Sequence, residues 1–280
     1  MTELADMLNL RRTGDGQYAA DNLPGPAPVV FGGQILAQAV VAASQSVPDK
    51  QLKNLHTVFA RGGAPDQPLE FDVRPLQNGR TFASLTIAVR QGDRLCAQST
   101  ALLHEPEPDL IRYGSSVPDV PLPRLTTARS GSHEWWEVRI VDDVDLYDPE
   151  AVGPPQLDVW SRFVGAPDEA YASQALLAFA SDGFLIATAM RPHKGIGQSM
   201  SHRTISTSVV SQTLSFHEPF RADEWLLLHH ESPYAGRGRS FGRADVFTED
   251  GRLVASYAQE NLIRSFPEGQ GSPEGGRAKY

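Results

Sequence analysis

The stretch NGRTFASLTIAVRQGDRLCAQSTALL, residues 78–103, occurs again in altered form as RGRSFGRADVFTEDGRLVASYAQENL, residues 237–262. The tetrapeptides GRTF and RLCA of the first copy match GRSF and RLVA of the second. Each copy has strand character on both sides of a glycine-containing turn, and glycine tolerates the positive φ that such turns use. Each copy is therefore predicted to form a β-hairpin, and the chain to contain a duplicated unit.

A helix candidate precedes each hairpin, separated from it by a further strand-like segment at 69–76 or 225–233. The first helix candidate, GGQILAQAVVAASQSV (32–47), repeats its apolar residues at the helical period. The second, DEAYASQALLAFASDGFLIATAM (168–190), follows Pro167 and carries acidic residues in its first turn. Both are rich in alanine, which lets a helix lie close to a sheet.

Each unit thus combines one long apolar helix with three or four antiparallel strands. This α+β pattern predicts a curved sheet wrapped around the helix, the hotdog fold, and two copies pairing edge to edge predict a double hotdog. The N-terminal unit is expected at residues 1–104 and the C-terminal unit at 133–265. Residues 105–132, rich in Pro, Ser and Gly, are predicted to be a linker, and residues 266–280 a disordered tail.

Composition excludes several classes of function. The net charge of −9, without a block of Lys or Arg, disfavours a nucleic-acid-binding protein. The single cysteine, Cys96, excludes an internal disulfide and argues against a thiolate metal cluster, and the histidines lack metal-ligand spacing. No signal-peptide layout is found, and no apolar run approaches the roughly 20 residues of a membrane span. We expect a cytoplasmic protein with no membrane partner, no metal and no cofactor.

Three polar residues lie in otherwise apolar elements. Asp182, in LLAFASDGFL, would share a helix face with Ala178 and Leu185, and a carboxylate there is costly unless it is paired or protonated. Gln259 and His56 lie in the strand-like segments VASYAQENL and LKNLHTVFARGG. Each of the three has a structural interpretation beside a catalytic one. A helix-interior Asp can bond the local backbone, and the neighbouring glycine allows a break there.

The chain resembles the type II acyl-CoA thioesterases, double-hotdog hydrolases that cleave fatty acyl-CoA. The resemblance covers most of residues 28–264, and no G-x-S-x-G nucleophile elbow, Walker loop or Rossmann glycine pattern competes with it. It rests on six collinear blocks: VFGGQILAQAVVAA (30–43), HTVFARGG (56–63), QALLAFASDGFL (174–185), RPHKGIG (191–197), FHEPFRADEWLL (216–227) and DGRLVASYAQENLIR (250–264).

The resemblance implies that an Asp, a Gln and a Ser or Thr hold the attacking water. The first two positions correspond to Asp182 and Gln259. The hydroxyl position falls on Val209, which cannot hydrogen-bond a water, and the Asp-His pair usual in the family is replaced by Ser211 and Gln212.

Strand alternation suggests which hydroxyl could replace the missing one. Thr207 and Ser211 would share the face of Val209, and Ser211 is the predicted substitute. Ser208 would need a bulge or a one-residue slip.

The predicted chemistry is direct hydrolysis without a covalent intermediate. Asp182, with a pKa raised by burial, would take the proton of the water that Gln259 orients. Backbone N–H groups at Gly32 and Gly33, where a helix begins, would hold the oxyanion, and His56 would have an accessory role. The candidates for contacting the CoA phosphates lie in loops of the second half: Arg191, His193, Lys194, Arg203, Arg237 and Arg239.

The leading hypothesis is an acyl-CoA thioesterase of lipid metabolism that releases free CoA and a fatty acid. The main alternative is a degenerate double hotdog that binds acyl-CoA with slow or no turnover, because Val209 removes one water ligand. A hotdog hydratase or dehydratase would need a His near Asp182, and a scaffolding module would not need the buried polar set. A homo-oligomer is compatible with the fold but is not required, since the chain contains its own pseudo-dimer.

Overall fold

The computed structural model describes residues 3–24, 28–126, 129–130 and 133–266. The strands within this part of the chain form one antiparallel sheet. They are β1 (Arg11–Gly14), β2 (Gln17–Ala20), β3 (Gln51–Phe59), β4 (Leu69–Asn78), β5 (Phe82–Gln91), β6 (Arg94–His104), β7 (Arg129–Ser130), β8 (Trp136–Ile140), β9 (Gln156–Phe163), β10 (Ile205–Phe216), β11 (Leu226–Gly236), β12 (Arg239–Thr248) and β13 (Leu253–Ser265).

Four α-helices lie in the described residues: α1 (Glu3–Leu8), α2 (Gly32–Ser46), α3 (Ala170–Ser181) and α4 (Leu185–Met190). The helix α2 agrees with the sequence prediction to within one residue. The single second helix predicted over 168–190 is wrong in one respect, because it is interrupted between α3 and α4.

The order of the strands shows the predicted duplication. The sheet runs β1-β2-β4-β5-β6-β3-β10-β13-β12-β11-β9-β8-β7, so that β4-β5-β6-β3 of the first unit is mirrored by β11-β12-β13-β10 of the second. The units join where β3 pairs with β10. The chain is therefore a double hotdog, as the sequence predicts.

The two long helices pack against each other inside the curve of this sheet. Gly33 makes their close approach possible, since a Cβ at this position would lie 2.3 Å from the carbonyl oxygen of Phe179 on α3. Helix α2 contacts β3 to β6 of its own unit, and the short helix α4 contacts β9 to β13 of the second unit, whereas α3 packs on α2 and β3. The apolar faces of both helices and of the sheet form one continuous core.

The stretch Ala170–Met190 is long and apolar enough for a membrane span, contrary to the expectation from the sequence. Within the protein it serves as core, because 78% of its most apolar window is buried. This burial accounts for its composition.

The segment after β6 packs on the outer face of the second unit. Val120 covers a small outer cluster that includes Trp160, Leu227 and Phe247, and the indole Nε1 of Trp160 donates to the carbonyl oxygen of Pro121 at 2.9 Å. The predicted linker thus has contacts of its own, and the domain boundaries stay a prediction. The predicted disordered tail lies outside the described residues from 267 onward.

Candidate active site

The break between α3 and α4 sets the position of Asp182. Helix α3 ends at Ser181, and Asp182 follows as its C-cap with φ −77° and ψ −11°. The N–H of Gly183 closes the turn on the carbonyl oxygen of Ala180 at 3.1 Å, and α4 begins at Leu185. Gly183 also lines the cavity beside Asp182.

The Asp182 carboxylate is buried against the first turn of α2. Its Oδ2 accepts a hydrogen bond from the N–H of Gly33 at 3.1 Å. A Cβ on Gly32 would lie 2.9 Å from the same oxygen, so this approach requires glycine. The other oxygen, Oδ1, is buried and has no hydrogen-bond partner in the protein. One carboxylate oxygen is thus anchored and the other is available.

Desolvation raises the pKa of Asp182 to about 7, and the hydrogen bond from Gly33 opposes this shift. Because burial disfavours the charged form more than one N–H stabilises it, the carboxyl exchanges its proton near neutral pH. A group poised in this range is suited to act as a general base.

Gln259 bonds Ser181, the last residue of α3 before Asp182, and it is not among the residues that line the cavity beside Asp182. Its Nε2 donates to the carbonyl oxygen of Ser181 at 3.1 Å and to Oε1 of Gln212 at 2.5 Å. Its own Oε1 is buried without a partner. Gln259 is 1% exposed, so this free acceptor is inaccessible to bulk solvent.

A β-bulge brings Gln212 to this position and turns Ser211 away. Val209 faces Asn261 on β13, whereas Ser211 faces Glu260, so Val210 is the extra residue. The bulge reverses the alternation, and Ser211 lies opposite the exposed residues Glu260 and Val58 on the outer face. The prediction of Ser211 as a water ligand is therefore wrong, because it assumed an unbroken strand.

Gln212 takes the inward position that Ser211 was expected to hold. It is 1% exposed and directly opposite Gln259. The sequence carried a signal for this, since Gln212 is in phase with the buried residues Leu214 and Phe216. Val209 lines the cavity, so an apolar side chain stands where the resemblance places a hydroxyl.

His56 lies on the outer face of the sheet, where it contacts Thr213. Its Nδ1 is 2.8 Å from Oγ1 of Thr213, its register partner across the junction of the units. The neighbours Leu55 and Thr57 point inward and are fully buried. The accessory catalytic role predicted for His56 is therefore wrong, since strand alternation directs its side chain away from Asp182.

The pairing of His56 with Thr213 also locates the pseudo-twofold axis. Counting outward from it, the residues equivalent to Gln212 and Gln259 are Leu55 and Ala101, which pair with each other as Gln212 and Gln259 do. Leu55 is 0% and Ala101 3% exposed. The carboxamide pair thus belongs to the second unit, and the first unit has apolar residues in its place.

A cavity of about 540 Å³ opens onto Asp182. Its walls are mainly apolar and come from both units, from the segment before α2, from β3 and β10, and from α4. The apolar lining residues include Val30, Phe31, Ile35, Phe59, Ile186, Val209, Val210 and Leu262. The space is suited to an apolar chain whose polar end reaches the carboxylate.

Two arginines, Arg61 and Arg264, also line this cavity. Both are exposed, and among the described residues neither forms an ion pair. Sequence reasoning missed both, because an arginine near the end of a strand-like segment has no distinctive local pattern. Free guanidinium groups at a cavity wall are available to an anionic ligand.

The CoA-binding candidates chosen from the sequence lie elsewhere. Arg191 bonds the carbonyl oxygen of Gln156 through Nη1 of its half-buried guanidinium, and it does not line the cavity. Lys194 forms an exposed ion pair with Glu150 at 3.1 Å and does not line the cavity either. The remaining candidates, Arg203, Arg237, Arg239 and His193, do not line the cavity, although Arg203 follows His202, which does.

The predicted oxyanion contact from Gly33 is also wrong, since its N–H is bonded to Asp182. Gly32 lines the cavity and stays a prediction. In the parts of the chain that the structure describes, no three His, Cys, Asp or Glu side chains form a metal-binding group.

A double hotdog with a buried carboxylate at the wall of an apolar cavity has the architecture of a hotdog thioester hydrolase. Two family models agree with this class. Residues 20–104 match an acyl-CoA thioesterase N-terminal domain, and residues 116–263 match an acyl-CoA thioesterase C-terminal domain. The chain therefore belongs to the acyl-CoA thioesterase family and is a thioester hydrolase.

Relatives and solved structures extend over nearly the whole chain. It is 28% identical to acyl-coenzyme A thioesterase 8 of Homo sapiens, over 94% of this chain and 89% of that protein. It is 27% identical to acyl-CoA thioesterase 2 of Haemophilus influenzae, over 94% and 98%. The crystal structure of acyl-CoA thioesterase II TesB2 from Mycobacterium marinum superposes with a TM-score of 0.80 at 28% identity, covering 96% of this chain and 99% of that one.

The raised pKa of Asp182 predicts how stability depends on pH. The folded state keeps the proton up to about pH 7, whereas the unfolded state releases it near pH 4. Folded protein therefore binds more protons between these values, and the free energy of unfolding falls as pH rises through this window. Asp182→Asn removes this dependence. The free energy of unfolding of the variant relative to the wild type should therefore rise from pH 4 to pH 7, by at most about 4 kcal/mol, and stay constant above pH 7.

Urea denaturation at a series of pH values measures this difference. Asp245→Asn is the matched control, because Asp245 lies on the outer face and bonds Ser256 at 2.7 Å. A constant difference between Asp182→Asn and the wild type from pH 4 to 8 would contradict the raised pKa.

Proposed function

We propose that the protein hydrolyses acyl-CoA by attack of a water held between Asp182 and Gln259. The observation that carries this proposal is the pair of buried, unpartnered acceptors, Oδ1 of Asp182 and Oε1 of Gln259, together with the bond from Gln259 to Ser181, the residue before Asp182. Buried acceptors without a donor are costly, and a water that donates one hydrogen to each would satisfy both. Such a water would keep its lone pairs free for the thioester carbonyl.

The reaction then needs no covalent intermediate. Asp182 takes one proton as the water oxygen bonds the carbonyl carbon, which gives a tetrahedral oxyanion. When this intermediate collapses, the C–S bond breaks, and the leaving CoA thiolate takes the proton from Asp182. The products are a free carboxylic acid and CoA, and the carboxylate is restored. The N–H of Gly32, at the positive end of α2, is the proposed oxyanion donor.

Different parts of the cavity wall would contact the two ends of the proposed substrate. Its apolar walls would take the acyl chain, whose burial contributes about 0.8 kcal/mol for each CH₂ group. Arg61 and Arg264 would contact the phosphates of CoA, since a phosphate accepts charge-assisted hydrogen bonds from a guanidinium. Both line the cavity, whereas the loop arginines and the lysine predicted from the sequence do not.

Val209 supports a second candidate, an acyl-CoA-binding protein with slow turnover. The loss of one hydrogen bond to the attacking water would reduce the stabilisation of the transition state by about 1–3 kcal/mol and would slow hydrolysis roughly tenfold to a hundredfold. Thiol release from acyl-CoA of several chain lengths separates the two functions, because the binding protein would bind these compounds without releasing CoA.

Removing the base or the carboxamide should slow hydrolysis. Asp182→Asn should lower kcat by about 10²–10⁴, the usual contribution of a general base, and Gln259→Ala by about tenfold to a hundredfold. The assay follows free thiol with a chromogenic disulfide. Asp245→Asn makes the same chemical change on the outer face and should keep the wild-type rate. Wild-type kcat in Asp182→Asn would reject the proposed base.

Neutralising the cavity arginines should weaken recognition of the CoA moiety. Arg61→Gln and Arg264→Gln should each raise KM for acyl-CoA by about tenfold, the loss of one charge-assisted contact. KM for the corresponding acyl-pantetheine, which lacks the phosphates, should stay unchanged. Lys194→Gln, outside the cavity, is the control. Equal changes in KM for both substrates would show that these arginines do not contact phosphate.

A further inference from the structure

Gln212 connects Gln259 to the end of helix α3. Its Oε1 accepts from Nε2 of Gln259 at 2.5 Å, and its Nε2 donates to Oγ of Ser181. The hydroxyl of Ser181 in turn donates to the carbonyl oxygen of Ala178 at 2.8 Å. The chain of hydrogen bonds therefore fixes two strands to the turn that precedes Asp182.

This arrangement determines which end of the Gln259 carboxamide is free. Both hydrogens on Nε2 are used, one by the carbonyl oxygen of Ser181 at 3.1 Å and one by Gln212. If the carboxamide were reversed, its Oε1 would face two acceptors and both bonds would be lost. The observed orientation leaves Oε1 unpartnered. Gln212 thus favours a Gln259 that accepts a hydrogen bond from the water.

The buried pair of Thr57 and Ser99 is an example of a polar contact with a structural role, to be compared with the pair of Gln212 and Gln259. Thr57, the register partner of Gln212 on β3, bonds Ser99 at 2.8 Å between two hydroxyls. Both residues are buried, and neither hydroxyl is left without a partner. The Gln212–Gln259 pair differs because it leaves Oε1 of Gln259 without a partner, as Oδ1 of Asp182 is.

We propose that Gln212 is a positioning residue for hydrolysis, which acts by holding Gln259 with Oε1 toward the attacking water. The inference rests on the proposed function, because it assigns a role within the same site. Gln212 does not touch the substrate or the water. Its removal should lower kcat through Gln259 while substrate binding is kept.

The first test replaces Gln212 with leucine, the residue at the pseudo-equivalent position Leu55. In Gln212→Leu only the carbonyl oxygen of Ser181 still holds Nε2 of Gln259, so the carboxamide is less firmly oriented, and kcat should fall by about tenfold with KM within about twofold. Thr57→Val is the matched control, since Thr57 is the register partner of Gln212 on β3. The change removes a buried hydrogen bond to Ser99 and leaves the hydrogen bonds of Gln259 intact. It should keep the wild-type kcat, and an equal fall in both variants would mean a structural role only.

A double variant tests whether Gln212 acts through Gln259. If it does, Gln212→Leu combined with Gln259→Ala should be no slower than Gln259→Ala alone, within about twofold. Multiplication of the two single effects would overturn the inference. If the wild type releases thiol and the effects multiply, only the role of Gln212 fails. If the wild type releases no thiol, the proposed function fails and the positioning role fails with it.

Gln212→Glu keeps the acceptor for Gln259 and guards against misfolding of the leucine variant. It should retain kcat within about threefold at high pH, and its added charge should move the acidic limb of the pH profile upward, since a nearby carboxylate raises the pKa of Asp182. An acidic limb at the wild-type pH would contradict the proximity of the two groups.

Hydrogen exchange of the Gln259 side-chain amide, followed by NMR, gives a readout independent of activity. Protection in the wild type that is lost in Gln212→Leu supports the inference, and equal exchange in both overturns it.

Discussion

The burial of one carboxylate between two helices determines the arrangement of the whole site. Asp182 is placed against the first turn of α2, where a single N–H from Gly33 bonds one of its oxygens. Desolvation outweighs this bond and raises the pKa of the group to about 7. The cost can be tolerated because a large continuous core surrounds the site, and burial of apolar area is the dominant favourable contribution to folding. The raised pKa of Asp182 is therefore a consequence of close helix packing, which Gly32 and Gly33 permit.

Duplication of the unit has given a symmetric scaffold with an asymmetric site. The strands are related across the β3–β10 junction, yet the carboxamides Gln212 and Gln259 of the second unit stand where the first has Leu55 and Ala101. The first unit contributes in another way, because the start of α2 supplies the bond to Asp182 and one wall of the cavity. The contacts of Asp182 and the walls of the cavity therefore come from both units.

The sequence predicted the fold more fully than the site, for physical reasons. Hairpin turns, apolar periodicity and the internal repeat are local patterns, and they were sufficient for a double hotdog. Asp182 and Gln259 were found because polar residues in apolar elements are conspicuous, although their catalytic roles stay proposals. The prediction of Ser211 as a water ligand was wrong because one bulged residue reverses the alternation of the strand, and no local sequence pattern indicated the bulge. The orientation of the His56 side chain and the position of Arg61 at the cavity depend on how strands that are distant in sequence pair with each other. The spacing of residues along the chain does not determine this pairing.

The titration of Asp182 itself tests the central claim most directly. Carbon-13 NMR of protein labelled at the aspartate side-chain carboxyl would follow this group, with the resonance assigned by its loss in Asp182→Asn. Desolvation of the carboxyl should place the midpoint at about pH 7. A midpoint near 4, the ordinary value of an aspartate, would show that the carboxylate is hydrated and would contradict the account.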